Sequence, residues 1–308
     1  MSAVRAEPGE ELYHRVAAAG VEVVVDGRHA GSGWFAGPDG LVVTAAHMVW
    51  NNTNKLEIVS RANGRMPASV VAVDRAHDLA LVQVPPAKRP YPFLKVAAQP
   101  PAPLTEIYLF GAPLFRHETL LAGKVARDTD SYEFRNEMKC FSRIYYVAGP
   151  SPQGTSGGGW VNARGLVVGN QSGLISLEKS AVGIAQVVPA DAIRTLLQTR
   201  RAPAVADMGV VIEELWEKPV EFIKKFPAGT SGVIVVRLYD KGPARTAGMS
   251  ADMVITAVDD KPVMLRDEFF NCIRAYKPGD TVKVRAFSPG QPEAREFSIT
   301  LTDLNRKK

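Results

Sequence analysis

The sequence predicts a mainly β protein: a large first domain of short strands, then a smaller α+β domain. Three observations carry that expectation. Runs rich in β-branched residues recur from about residue 12 to 190, separated by turn residues. Glycine and proline are plentiful, 26 and 22 in 308 residues, which favours turns over long helices. The pattern breaks near Thr199-Arg200-Arg201-Ala202-Pro203, which reads as a linker, and then restarts. The length suits two domains of ordinary size, placed at 1–200 and 207–304.

In chain order, Val21–Val25, Gly40–Thr44, Ser69–Val73 and Leu79–Val84 read as strands. Asp26-Gly27, Pro38-Asp39-Gly40 and Asn63-Gly64 supply the turns between them. The Pro-rich stretch from Pro85-Pro86 to Pro103 reads as a crossing between two halves. Later strands fall at Glu106–Phe110, Arg143–Val147, Gly165–Gly169 and Ala185–Val188. This spacing suits a barrel or sandwich and not alternating βα units. Pro189-Ala190-Asp191 opens a short helix, with Asp191 placed to cap it and Ile193, Leu196 and Leu197 facing inward. In the second domain, Val233–Val236, Val254–Val258, Thr281–Phe287 and Glu296–Leu301 read as strands. Leu265–Tyr276 reads as an amphipathic helix with Phe269, Ile273 and Tyr276 on one stripe. Residues 213–230 read as an expanded loop.

Composition excludes several classes. A formal charge of +5 with no long Lys/Arg run gives no footprint for nucleic acid. No apolar run is long enough to span a membrane. Glu7, Glu10, Glu11 and Glu22 spoil the pattern of a signal peptide. The two cysteines, Cys140 and Cys272, are placed in different domains, so no disulfide framework is expected. No His/Cys cluster suggests zinc, and no metal or organic cofactor is expected.

The chemistry lies in three segments. Gly154-Thr155-Ser156-Gly157-Gly158 offers a serine in a tight glycine-rich turn. Thr44-Ala45-Ala46-His47 ends a buried-type strand, and Asp78 precedes the apolar run Leu79-Ala80-Leu81. A serine hydroxyl is a poor nucleophile at neutral pH unless a base takes its proton, and the base needs a carboxylate to hold its tautomer. His47, Asp78 and Ser156 supply those three groups. The backbone N–H groups of Gly154 and Ser156 are the candidate oxyanion donors. Asp74 is the rival carboxylate and reads better as a turn residue. His14, His29, His77 and His117 read as surface or satisfied core residues. On an extended strand His77 would point away from Asp78.

These segments resemble the HtrA-type (DegP-like) serine proteases. Gly31-Ser32-Gly33-Trp34-Phe35 and Gly40 to His47 look like the start of that family's protease domain. Asp74, Asp78 and Leu79-Ala80-Leu81 look like its second motif, and Gly154 to Gly158 the nucleophile motif. Gly242-Pro243-Ala244 to Ala247-Gly248-Met249, with Val254-Ile255 to Lys261-Pro262-Val263, is similar to its PDZ domain. The resemblance implies a chymotrypsin-like double β-barrel followed by a small α+β PDZ domain. It implies an endopeptidase acting on unfolded or exposed protein segments. Asn170 to Gly173 and Ala185 to Val188 would line the S1 pocket, whose residues suit small or medium aliphatic side chains. Met208, Gly209 and Val210 look like the loop that takes a peptide C-terminus. The family also implies a trimer built on N-terminal contacts, with Tyr13 and Val16 as contributors, and a periplasmic or extracytoplasmic setting. Departures are Gly159-Trp160 for the usual proline-leucine, Ala148 for a common aspartate, and Asp252-Met253 for Gly-Asp. The first two are expected to alter active-site loops, and they motivate a competing reading: a peptide-binding chaperone or scaffold with a dormant protease fold.

Overall fold

In the computed structural model, which describes residues 8–51, 55–127, 129–177 and 180–306, the first element is a helix, α1 (Pro8–Ala19). The sequence reading placed only strands there. The apolar letters from Val16 to Val25 straddle two elements: Leu12, Val16, Ala17 and Ala19 bury one helical face, and the period changes to two at Gly20. Gly20 packs on Phe110 so closely that a Cβ would overlap its ring. Val16 is fully buried in the core of its own unit, so it is not available as a contact between protomers. Tyr13 packs on the same core and donates its hydroxyl to Glu118 O at 3.1 Å.

The chain divides into two units, 1–138 with 142–203, and 139–141 with 204–308. Cys140, expected in the first domain, thereby groups with Cys272; both are free thiols. In the first unit the strands run β1 (Gly20–Val25), β2 (Arg28–Phe35), β3 (Leu41–Thr44), β4 (Leu56–Ser60), β5 (Gly64–Pro67), β6 (Ser69–Asp74) and β7 (Leu79–Gln83). They form one sheet in the order β5-β4-β1-β2-β3-β7-β6. Its outer strands, β5 and β6, follow one another across Ala68, whose N–H donates to Leu56 O at 3.0 Å, so the sheet returns on itself.

The second sheet contains β8 (Glu106–Gly111), β9 (Thr119–Val125), β10 (Ser131–Arg135), β11 (Cys140–Ala148), β12 (Gly159–Val161), β13 (Val167–Leu177) and β14 (Ser180–Pro189). Its order is β10-β11-β14-β13-β12-β8-β9, and β11 also pairs with β9, which closes a barrel.

Each barrel has its own filling. Val23, Phe35, Val42, Ile58, Ala80 and Val82 pack in the first; Ile107, Leu109, Val125, Val147, Trp160 and Val187 pack in the second. A third cluster takes Leu41, Val43, Leu79 and Leu81 from the other face of β3 and β7, with Phe110, Ile144 and Val188. Strands buried on both faces read as continuous apolar runs, which is why β3 and β7 were legible. The helix α2 (Ala190–Thr199) covers that cluster with Ile193 and Leu196. Pro189, not Asp191, occupies the cap position; Asp191 lies inside the helix and pairs with Arg143 at 2.6 Å.

The second unit contains β15 (Ala206–Asp207), β16 (Val210–Glu214), β17 (Val233–Leu238), β18 (Val254–Val258), β19 (Lys261–Pro262), β20 (Thr281–Phe287), β21 (Arg295–Thr300) and β22 (Thr302–Asp303). The main sheet runs β16-β17-β18-β20-β21, with β19 on β18, and β15 pairs with β22. Residues 213–230 are not a plain loop. They hold a helical turn, Leu215–Glu217, and α3 (Val220–Ile223), and bury Leu215 and Phe226 against Ile234 and Val254. After α4 (Pro243–Thr246), α5 (Arg266–Arg274) buries Phe269, Phe270 and Ile273. Tyr276 lies beyond its end and donates its hydroxyl to Asp259 at 2.7 Å.

Candidate active site

His47 sits on a single helical turn, Ala46–Met48, directly after β3. Asp78 closes a four-residue turn between β6 and β7, not an extended strand, and adopts a left-handed φ of 51°. That conformation is uncommon outside glycine, though aspartate tolerates it better than most. The turn changes the reading of its neighbours. Asp74 accepts the Ala76 N–H at 3.0 Å and holds His77 Nδ1 at 2.7 Å, so the rival carboxylate is spent on shaping the loop.

Asp78 is sealed from solvent, and its carboxylate is surrounded by donors. The His47 backbone N–H donates to Oδ1 at 2.9 Å, and His47 Nδ1 lies 2.9 Å from Oδ2 and 3.1 Å from Oδ1. Ser172 donates its hydroxyl to Oδ2 from β13. Arg135, at the end of β10, places Nε 3.9 Å from the same oxygen. Burial alone would push the Asp78 carboxyl up; the charge and hydrogen bond of His47, with Arg135 and Ser172, hold it below its usual value. Burial pushes the His47 imidazole down, and the charge and hydrogen bond of Asp78 outweigh it, so the net movement is upward. Neither Ser172 nor Arg135 was found from the sequence. Ser172 was read only as part of a pocket wall, and Arg135 belongs to no motif.

Ser156 lies on a loop held by both sheets. Thr155 donates its N–H and its hydroxyl to Pro152 O at 3.2 and 2.7 Å. Gly154, with φ of 97°, takes the third position of that turn, the mark of a type II turn. The N–H groups of Gly154 and Ser156 have no hydrogen-bond partner among the described residues. Two unpaired donors on one rigid turn are what a developing oxyanion requires. Gly157 has φ of 83°, and a Cβ there would overlap Ser32 O and Thr44 Oγ1, two residues' length from the start of the His47 turn.

Ser32 joins the loop to the first sheet. Its N–H donates to Ser156 O and its hydroxyl to Gly154 O, both at 2.7 Å, while it accepts the Ala112 N–H at 3.1 Å. Downstream, Asn170 and Gln171 turn inward as acceptors for Trp34 Nε1 at 3.0 Å and Trp160 Nε1 at 2.8 Å. Gln171 also donates its Nε2 to Gly173 O at 2.6 Å, whereas Asn170 Nδ2 is buried without a partner, and it is the Gln171 backbone that bonds the loop, accepting the Gly157 N–H at 2.7 Å and donating to Gly158 O at 2.8 Å. The departures at Gly159 and Trp160 fall in β12, not in a loop. Trp160 fills the second barrel, and Gly159 makes room for Trp34, which a Cβ would approach to 3.1 Å.

Residues 31–169 match the family described as trypsin-like peptidase domain, and residues 206–290 match the PDZ domain family. Among curated relatives, the chain is 26% identical over 261 residues to the serine protease HTRA1 of Xenopus laevis, covering 80% of this chain and 55% of the relative. It is 25% identical over 279 residues to a probable periplasmic serine endoprotease DegP-like of Rhizobium meliloti (strain 1021), covering 88% and 53%. Over most of its length the chain is similar to HtrA-type serine proteases. It spans about half the length of those relatives. The fold matches the crystal structure of a serine endoprotease from Yersinia pestis, with a TM-score of 0.64 at 20% identity, covering 97% of this chain and 99% of that one. The HtrA-type protease AlgW with decapeptide matches with a TM-score of 0.67 at 16% identity, covering 98% and 100%. The first unit therefore has the chymotrypsin-like double-barrel fold, and the second is a PDZ domain.

In the PDZ domain, Met208 and Val210 are buried, and Gly209 has φ of 73°. The Gly209 N–H donates to Asp207 Oδ2 at 3.2 Å, and its carbonyl accepts the Tyr239 N–H at 2.9 Å. An internal carboxylate thus already uses one of the loop's donors. No helix of the described residues is long and apolar enough to cross a membrane.

Proposed function

We propose that this chain is a serine endopeptidase that cleaves exposed segments of unfolded proteins through an acyl-enzyme on Ser156. The observation that carries the reading is the bonded pair of His47 and a solvent-sealed Asp78 beside a nucleophile loop with two unpaired N–H groups. With its Nδ1 proton directed at Asp78, His47 keeps the Nε2 lone pair for the Ser156 hydroxyl. The serine attacks the scissile carbonyl, and the N–H groups of Gly154 and Ser156 take the negative charge that develops on its oxygen. The imidazolium, stabilised by Asp78, then passes its proton to the leaving amine, and water repeats the sequence to release the acyl group. P1 side chains would be small or medium and aliphatic, since no acidic residue stands at the expected pocket wall.

The PDZ domain would bind peptide C-termini at Met208, Gly209 and Val210, the peptide adding as a strand beside β16. Protein quality control and assembly into a trimer belong to the same reading. With Val16 committed to the core, trimer contacts would fall elsewhere on the N-terminal segment. The direct test compares wild type with Ser156→Ala. Wild type hydrolyses casein and is labelled by diisopropyl fluorophosphate; the variant does neither and stays folded. Hydrolysis persisting in the variant refutes the assignment.

A further inference from the structure

Arg135 stands at the end of β10, far in sequence from the three motifs, yet its guanidinium lies against the catalytic pair. Its side chain is 11% exposed, and Nε and Nη2 are buried without a hydrogen-bond partner. A largely buried cation with two of its three nitrogens unpaired is costly, so its retention requires an explanation. The explanation is at hand in Asp78, a fully buried anion whose Oδ2 lies 3.9 Å from Nε. Gly173 makes the approach feasible: a Cβ there would overlap Arg135 Nη1 and come within 3.1 Å of its Cζ.

We propose that Arg135 is a positioning residue for catalysis, a third charged partner that holds the charge on Asp78 and restrains the basicity of His47. Two opposed charges bear on His47 through space from its own pair and from Arg135, and Glu137, just beyond β10, adds to the upward side. Asp78 faces His47 and Arg135 as charges and Ser172 as a donor. Removing the cation leaves His47 facing acidic groups only, so its pKa must rise.

The test is the titration of the His47 ring followed by NMR in histidine-labelled protein, assigned by the signal lost in His47→Gln. Arg135→Gln should raise the pKa of His47 by about one unit. Arg135→Lys, which keeps the charge, should stay near wild type; a merely structural role would make both variants alike. Gly173→Ala, which displaces the guanidinium from a different strand, should move the titration in the same direction and act non-additively with Arg135→Gln. The pH dependence of Ser156 labelling by a fluorophosphonate should move upward by the same amount. An unchanged His47 titration in a folded Arg135→Gln or Gly173→Ala protein overturns the proposal. The protease reading, on which the role in catalysis rests, fails separately if wild type is never labelled, while the titration still reads the effect of Arg135.

Discussion

A carboxylate cut off from water stays ionised only where other groups replace its hydration. Asp78 has four such contacts: the backbone and ring of His47, the Ser172 hydroxyl and the nearby Arg135 cation. Because the Asp78 partnership raises the imidazole above its ordinary 6.5, the acid limb of kcat/KM should lie above pH 6.5. Only the neutral imidazole can accept the serine proton, so activity is lost as pH falls through that pKa. Asp78→Asn should cost about 10⁴ in kcat and move the limb to lower pH, measured by pH–rate profiles on a peptide substrate. Ser172→Ala removes one donor from a buried anion and should cost roughly tenfold in kcat. His47, Asp78 and Ser156 were legible because each sits in a short run of unusual composition. Ser32, Ser172 and Arg135 were not, because their partners lie 122, 94 and 57 residues away in the chain and leave no local pattern.

At the scale of single elements, turns decide what the site can do. The Pro152–Gly158 loop carries two glycines at positive φ, and Gly157 also lacks space for a methyl group. Gly157→Ala should destabilise the first unit by about 2–4 kcal/mol, read from urea unfolding. In the PDZ loop, Asp207 competes for the Gly209 N–H that a peptide carboxylate would use. Asp207→Ala should therefore tighten binding of a C-terminal peptide several-fold in fluorescence polarisation, and equal affinity would show that the Asp207 contact is irrelevant. Elements with both faces buried, β3 and β7, were easy to read. The helix α1 was hidden because its apolar residues run without a break into β1. The 213–230 segment was hidden because Phe222 and Phe226, one helical turn apart, stand among lysines and glutamates. His77 and Asp78 were placed on a strand because Asp78 directly precedes one; the left-handed turn is visible only in the backbone.

For the molecule as a whole, separate cores fill the barrels and the PDZ domain. Trp160 is fully buried in the second barrel, and Trp160→Ala should cost about 3–5 kcal/mol in urea unfolding of the first unit. The mainly β class and the change of pattern after residue 200 came through from turn spacing and β-branched runs. The barrel closure through β11 and β9 did not, since it joins strands with no shared local signal.

The division of labour between the two barrels bears on biosynthesis. His47 and Asp78, the proposed base and its carboxylate, belong to the first sheet, whereas Ser156, the proposed nucleophile, and the Ser172 brace on Asp78 come with the second. A ribosome-bound chain that has emerged only as far as β7 holds a proton acceptor with nothing to activate. On the proposed reading, the polypeptide therefore cannot cut its neighbours, or itself, until the last strands of the second barrel are translated and closed.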